Sequence, residues 1–212
     1  MDAKVQSLLD ELFGRYPKLK REEKNIIQAY RVLKGCYQND GKVLTCGNGG
    51  SAADAGHITA ELMKGFLLPR GLKSHDIKRF PNEYCNCVQK LQYGLPAISL
   101  SAQSELITAI SNDNGAEMVF AQQVFAYGRK NDVLVCISTS GDSENVINAA
   151  KVAKYLEVKT VALTGEKGGR LKGLADAAIC VPETITYKIQ EQHLPIYHAL
   201  CSMLEMNFFG DN

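Results

Sequence analysis

The chain carries no excess of charge of either sign. Its 212 residues hold 24 Lys and Arg against 23 Asp and Glu, a net +1, so no basic face argues for a nucleic-acid partner. No apolar run reaches the roughly eighteen residues that begin to read as a bilayer span, so no membrane partner is expected. The first seven residues alternate charged and apolar positions and lack the pattern of a secretory leader. A disulfide framework is missing too. Seven cysteines is an odd number, and Cys46, Cys136 and Cys180 sit inside apolar runs, as reduced, buried thiols of a cytoplasmic protein do. The G-x-G-x-x-G spacing of dinucleotide-binding folds is absent as well. What remains is an ordinary globular composition, 45% hydrophobic and 22% charged, and enough length for one domain, 1–212, around a single core.

Two stretches near the N-terminus, Val5 to Phe13 and Glu22 to Leu33, place apolar residues at helical spacing. They read as a helical arm over residues 1–40, ended by Gly35 or by the Asn39-Asp40-Gly41 turn. Five short apolar runs follow: Val43 to Gly47, Ala97 to Ser101, Val133 to Ser138, Thr160 to Thr164 and Ala178 to Val181. Helical patterns separate most of them. Such alternation predicts crossover units and a parallel sheet, and near-continuous apolar strands predict a sheet covered on both faces. Tyr187 to Phe208 reads as a long final helix.

Two of these strands end in unusual loops. The first runs Gly47, Asn48, Gly49, Gly50, Ser51. The second runs Ser138, Thr139, Ser140, Gly141, Asp142, Ser143. A loop that leads from a strand into a helix aims unpaired backbone N–H groups and the positive end of the helix dipole at one spot, which suits a phosphate. Plainer readings stand beside this one. Three glycines also make a tight turn, and Ser143 also serves as an N-cap for a helix over Ser143 to Tyr155. The serine cluster exceeds what one cap requires.

Candidate chemistry lies on two helices. His57 and Glu61 are four apart, hence on one face of the helix that opens at Ser51. Gln190 and His198 are eight apart on the final helix, about two turns. Read singly, these are a helix-surface pair and a satisfied helix histidine. Together they describe a proton-moving acid and base beside mixed N and O donors that suit zinc or a similar ion. Isomerising a carbonyl and hydroxyl next to a phosphate tail, through an enediol, uses both.

The motifs Gly47 to Ser51, His57-x-x-x-Glu61, Asn112-Asp113, the Ser138 to Ser143 loop, Leu163-Thr164-Gly165 and Gln190-Glu191 with His198 resemble the sugar isomerase (SIS) domain family, and within it the phosphoheptose isomerase branch. The resemblance runs from about Val43 to Glu205. It implies a three-layer αβα sandwich of flavodoxin-like type around a five-stranded parallel sheet, with extra N-terminal helices. It implies an aldose–ketose isomerase interconverting sedoheptulose 7-phosphate and D-glycero-D-manno-heptose 7-phosphate, and a homotetramer with sites at subunit contacts. By resemblance, Ser51, Ser138, Thr139, Ser140 and Ser143 hold the phosphate, and Asn48, Gly49, Gly50, Asn112 and Asp113 face the sugar. His57, Glu61, Gln190 and His198 bind zinc, and Glu61 and His198 move the proton. Other members of the fold only sense sugar phosphates or bind a replication initiator, and others isomerise different sugar phosphates.

Three departures stand out. Residues 67–95 form an inserted segment, polar and basic around Lys73 to Arg79, where a lid, an oligomer arm or a changed pocket would fit. Its His75 and the Cys85-x-Cys87 pair lack an evident fourth metal ligand, so a plain loop with incidental thiols is expected. Pro195 falls inside the final helix and is expected to kink or restart it. Ala52 and Ala53 replace the bulkier pair of the family.

Overall fold

The structure, a computed structural model, describes residues 2–210. The arm contains α1 (Ala3–Arg15) and α2 (Glu23–Gln38) joined by a 3₁₀ turn, and α2 runs through Gly35. It stops at the Asn39 turn, where Asp40 takes φ 55. Then come β1 (Val43–Gly47), α3 (Gly50–Met63), two short helices α4 (Ser74–Ile77) and α5 (Cys85–Val88), and β2 (Ala97–Ser99). The rest is α6 (Ser104–Asp113), α7 (Val119–Tyr127), β3 (Val133–Ile137), α8 (Glu144–Tyr155), β4 (Lys159–Thr164), α9 (Gly169–Lys172), β5 (Ala177–Cys180) and α10 (Thr186–Phe209).

All five strands are parallel, in the order β2-β1-β3-β4-β5. Side chains alternate across the pleat. Val133, Val135 and Ile137 join Val161, Leu163 and Ile179 under α1, α2, α3 and α10. Leu134 and Cys136 join Leu44, Cys46 and Ala162 under α6, α7 and α8. This produces the expected three layers and explains why the strands read as unbroken apolar runs. The chain winds outward from β1 in one direction and from β3 in the other. Ligands of such sheets bind beyond the carboxyl ends of the strands at this reversal, and both serine-rich loops leave the sheet there.

Pro195 is buried within α10, which continues for 24 residues through it. Packing on both sides outweighs the one backbone hydrogen bond that proline removes. The expected restart is therefore not found, and His198 stays on the same helix as Gln190.

The 67–95 segment is ordered at its base by a buried ion pair. Arg70 Nε donates to Glu205 Oε1 at 2.7 Å, and both side chains are essentially inaccessible. Glu205 also accepts the backbone N–H groups of Phe66, Leu67 and Leu68. The Arg70 guanidinium reaches the carbonyl oxygens of Leu62 and Glu61 and covers the Phe209 ring. One pair thus ties the insertion to the end of α3 and to α10. Further out, Gly71 and Gln92 form an antiparallel bridge.

Candidate active site

The β1 loop is made by close approach of backbone. Gly49 takes φ 55 at the start of α3. A Cβ on Gly50 would stand 2.5 Å from Gln190 Nε2, so a larger residue there would have to push the Gln190 amide aside. Ser51 is buried in the first turn. Thr45 Oγ1 donates to the Ala55 carbonyl at 2.9 Å and so fastens α3 to β1.

The β3 loop faces it. Gly141 takes φ 70, and a Cβ there would collide with the Gly168 carbonyl. Ser143 occupies the N-cap position of α8 but makes no side-chain cap bond. Its Oγ lies instead 3.0 Å from Ser138 Oγ, which is also 3.5 Å from Ser140 Oγ. Three hydroxyls therefore cluster at the positive end of a helix; Ser140 Oγ accepts the Asp142 N–H of the loop, Ser143 makes no cap bond, and the arrangement suits an anion. Thr139 lies between them and accepts Gly165 N–H through its carbonyl. Arg170 braces the loop from outside, bonding the Asp142 carboxylate and carbonyl and the Glu144 carboxylate. The Asp142 carboxyl is held below its usual range by Arg170, through its backbone N–H first and its guanidinium second.

Asn48 and Asn145 connect the loops. Their amides exchange reciprocal hydrogen bonds of 2.9 Å. Asn112 and Asp113 lie exposed at the end of α6, bonded to each other at 2.9 Å.

The proton-moving candidates meet farther along α3 and α10. His57 Nε2 stands 3.1 Å from Glu61 Oε1 and 3.4 Å from His198 Nε2. Phe66 and Tyr197 pack their rings near His198, with centroids 5.5 and 5.0 Å away. Burial, and after it the neighbouring His57, pulls the His198 imidazole below its ordinary value. A groove of about 390 Å³ opens beside His198, bordered by Glu11, Arg15, Phe66 and Leu194. Gln190 is not part of this trio. Eight residues of helix separate it from His198, about 12 Å along the axis, and its amide packs on Gly50 at the loop end of the site.

The donors suit zinc in kind. Ligands at about 2.0–2.1 Å around a tetrahedral ion stand about 3.3 Å from one another, close to the 3.1 and 3.4 Å spacings here. Both approaches run through His57, and among the described residues no group of three or more His, Cys, Asp or Glu side chains is arranged to hold a metal ion.

Sequence reasoning missed Asp54, Asn145, Arg170 and Tyr197. Asp54 was findable, since it falls three residues before His57 on the same helix face. The other three come from distant segments, and nothing in their local sequence points to the site.

A family model described as the SIS domain matches residues 16–75 and 70–165. A phosphoheptose isomerase of Helicobacter pylori is 44% identical over 185 residues, 87% of this chain and 85% of that one. One from a Nitratiruptor species is 47% identical over 171 residues, 81% of this chain and 80% of that one. Among solved structures, the phosphoheptose isomerase of Neisseria gonorrhoeae superposes with a TM-score of 0.74 at 35% identity, over 95% of this chain and 97% of that one. That of Francisella tularensis gives 0.73 at 33% identity, over 97% and 100%. At this level of identity and coverage, the chain belongs to the phosphoheptose isomerase family of SIS-domain proteins.

Proposed function

We propose that the protein is an aldose–ketose isomerase that interconverts sedoheptulose 7-phosphate and D-glycero-D-manno-heptose 7-phosphate. The observation that carries this reading is the meeting of Glu61, His57 and His198 beyond an anion pocket on the same pair of helices. A sensor of sugar phosphates needs the pocket alone; the carboxylate and the second imidazole serve proton transfer.

The phosphate docks between the loops, on Ser51, Ser138, Thr139, Ser140 and Ser143 and on the first-turn N–H groups of α3 and α8. Gln190 and the Asn48–Asn145 pair flank this end. Asn112 and Asp113 are assigned to the sugar hydroxyls. The sugar chain then extends along α3 toward its second and third turns. Glu61 takes a proton from C1 of the ketose. The C1–H electron pair becomes the C1–C2 double bond of an enediol, while the C2 oxygen gains a proton from His198. Glu61 returns its proton to C2 as the C1 hydroxyl proton passes to His198, which gives the aldehyde and restores both groups. A carboxylate and an imidazole in these roles each contribute about 10²–10⁴-fold.

His57, Glu61 and His198, with Gln190 as the fourth donor that the resemblance implies, would supply the N and O donors for a zinc ion. Such an ion, when bound, supplies polarisation of the carbonyl. A homotetramer is the assembly we assign. Exposed Met63, Leu67, Ile185, Tyr187 and Leu194 near the site support burial against other copies. No helix among the described residues is long and apolar enough to cross a membrane. Buried free thiols at Cys36, Cys46, Cys136, Cys180 and Cys201 support a cytoplasmic setting.

The test is turnover in deuterated water, followed by NMR. The reading predicts aldose heptose phosphate, with deuterium entering C2 of the product and C1 of remaining ketose wherever the Glu61 proton exchanges with solvent before its return. Binding of the sugar phosphate with no product and no exchange would favour a sensor.

A further inference from the structure

Tyr197 stands between two groups that both want its hydroxyl. Its oxygen lies 3.2 Å from Asp54 Oδ1 and 3.0 Å from His57 Nδ1. The ring is buried, 2% exposed, and sits edge-on to the His57 imidazole at 5.4 Å between centroids.

A phenol has one proton to donate, and an ionised carboxylate only accepts. Bonds to ionised acceptors are roughly twice as strong as neutral ones. The hydroxyl proton therefore goes to Asp54, which leaves the phenolic oxygen as an acceptor. His57 Nδ1 must then carry a proton and donate it to Tyr197. The opposite arrangement would set two acceptors, the Tyr197 oxygen and Asp54 Oδ1, against each other at the same 3.2 Å. It would also strip Asp54 of its partner, and Asp54 Oδ2 is already buried without one.

We infer that Asp54 and Tyr197 form a positioning relay that keeps the His57 proton on Nδ1 and presents Nε2 to Glu61 and His198. Tyr197 touches neither reacting atoms nor substrate; it acts through His57. The consequence appears on the other side of the ring. With Nδ1 committed, Nε2 offers an electron pair toward Glu61 Oε1 at 3.1 Å and His198 Nε2 at 3.4 Å. Against the Glu61 carboxylate that electron pair is repelled unless a proton or a cation lies between them, whereas His198 can answer it with its own Nε2–H. The relay thus leaves His57 Nε2 as an acceptor, open to His198 or to a bound cation. It orients the ring as outer hydrogen bonds orient metal-binding histidines generally, but with a phenol inserted between carboxylate and imidazole.

This inference rests on the proposed reading of His57 as a metal ligand, and its test separates the two. Ring nitrogens of ¹⁵N-labelled histidine would be recorded by ¹H–¹⁵N correlation at about pH 8, in metal-free protein and after adding zinc alone. Zinc affinity of the same samples would be measured by titration calorimetry. The relay predicts a protonated Nδ1 on His57 in both wild-type samples. In Tyr197→Phe, the metal-free ring should turn to the Nε2–H form, bonded to Glu61, with zinc binding about 10–100-fold weaker. In Asp54→Asn, the amide can donate to the phenolic oxygen, so Tyr197 should donate to Nδ1 and the same tautomer change should follow. A bare Nδ1 in metal-free wild type overturns the relay. So does a Tyr197→Phe protein with unchanged tautomer and zinc affinity within twofold. If wild type takes up no zinc yet keeps the Nδ1 proton and loses it in Tyr197→Phe, the relay stands and the metal assignment fails.

Discussion

His57 and His198 meet Nε2 to Nε2 at 3.4 Å, although 141 positions of sequence separate them. The fold produces that meeting simply. α3 leaves β1 and α10 follows β5, and the two lie on the same face of the sheet with their apolar sides sharing one core. Gly50 touches Gln190 at one end, and His57 touches Tyr197 and His198 about two turns on. The same pair of helices therefore frames both the anion pocket and the proton-moving groups.

The β3 loop separates two accounts of its serines. Ser143→Ala should lower kcat/KM for the sugar phosphate about 10–100-fold, the worth of one hydrogen bond to a charged group. Unfolding free energy should move by less than about 0.5 kcal/mol, because Ser143 makes no cap bond. Steady-state kinetics and urea unfolding on one preparation check this. A stability loss of about 1 kcal/mol with unchanged kinetics would restore the capping account.

Glu205 offers a stability test. Glu205→Ala would leave the buried Arg70 guanidinium without its carboxylate and three backbone N–H groups without an acceptor. Breaking a buried pair from one side costs about 3–5 kcal/mol, readable in a denaturant midpoint. Proteolysis of the 67–95 segment should quicken in the variant. Glu205→Gln, which keeps acceptor oxygen, should lose less.

His193 gives the fold a pH dependence. Its ring is fully buried, with Nε2 donating to the Thr164 carbonyl at 3.2 Å. Burial pushes its pKa down from 6.5 to about 4. The unfolded chain binds the proton more readily, so this contribution is fully present above about pH 6.5 and is lost as pH falls toward 4. The loss is on the order of 3 kcal/mol. Unfolding free energy measured between pH 7 and 4 should fall with that slope, and His193→Gln should flatten it.

Much of this was legible along the chain. β1 and β3 announce themselves as apolar runs ending in Gly- and Ser-rich loops, and the sheet, its layers and the loop positions follow from them. Other features are set at a distance. Pro195 obeys a local rule that packing overrides. Arg70 reads as one more cation in a polar insertion, because its partner Glu205 lies 135 positions away. Tyr197 reads as a core aromatic of α10, and only the crossing of α10 with α3 sets its hydroxyl between Asp54 and His57. Gln190 and His198 share a helix side as their spacing predicts, yet two turns divide them between the anion end and the proton end.

The measurement closest to the centre of this account is the conversion of sedoheptulose 7-phosphate by wild type and by Glu61→Gln, monitored by NMR, with circular dichroism confirming that both are folded. The account predicts aldose product from wild type and a loss on the order of 10³-fold in the variant, with phosphate-end binding retained. Equal turnover by the two proteins would contradict it.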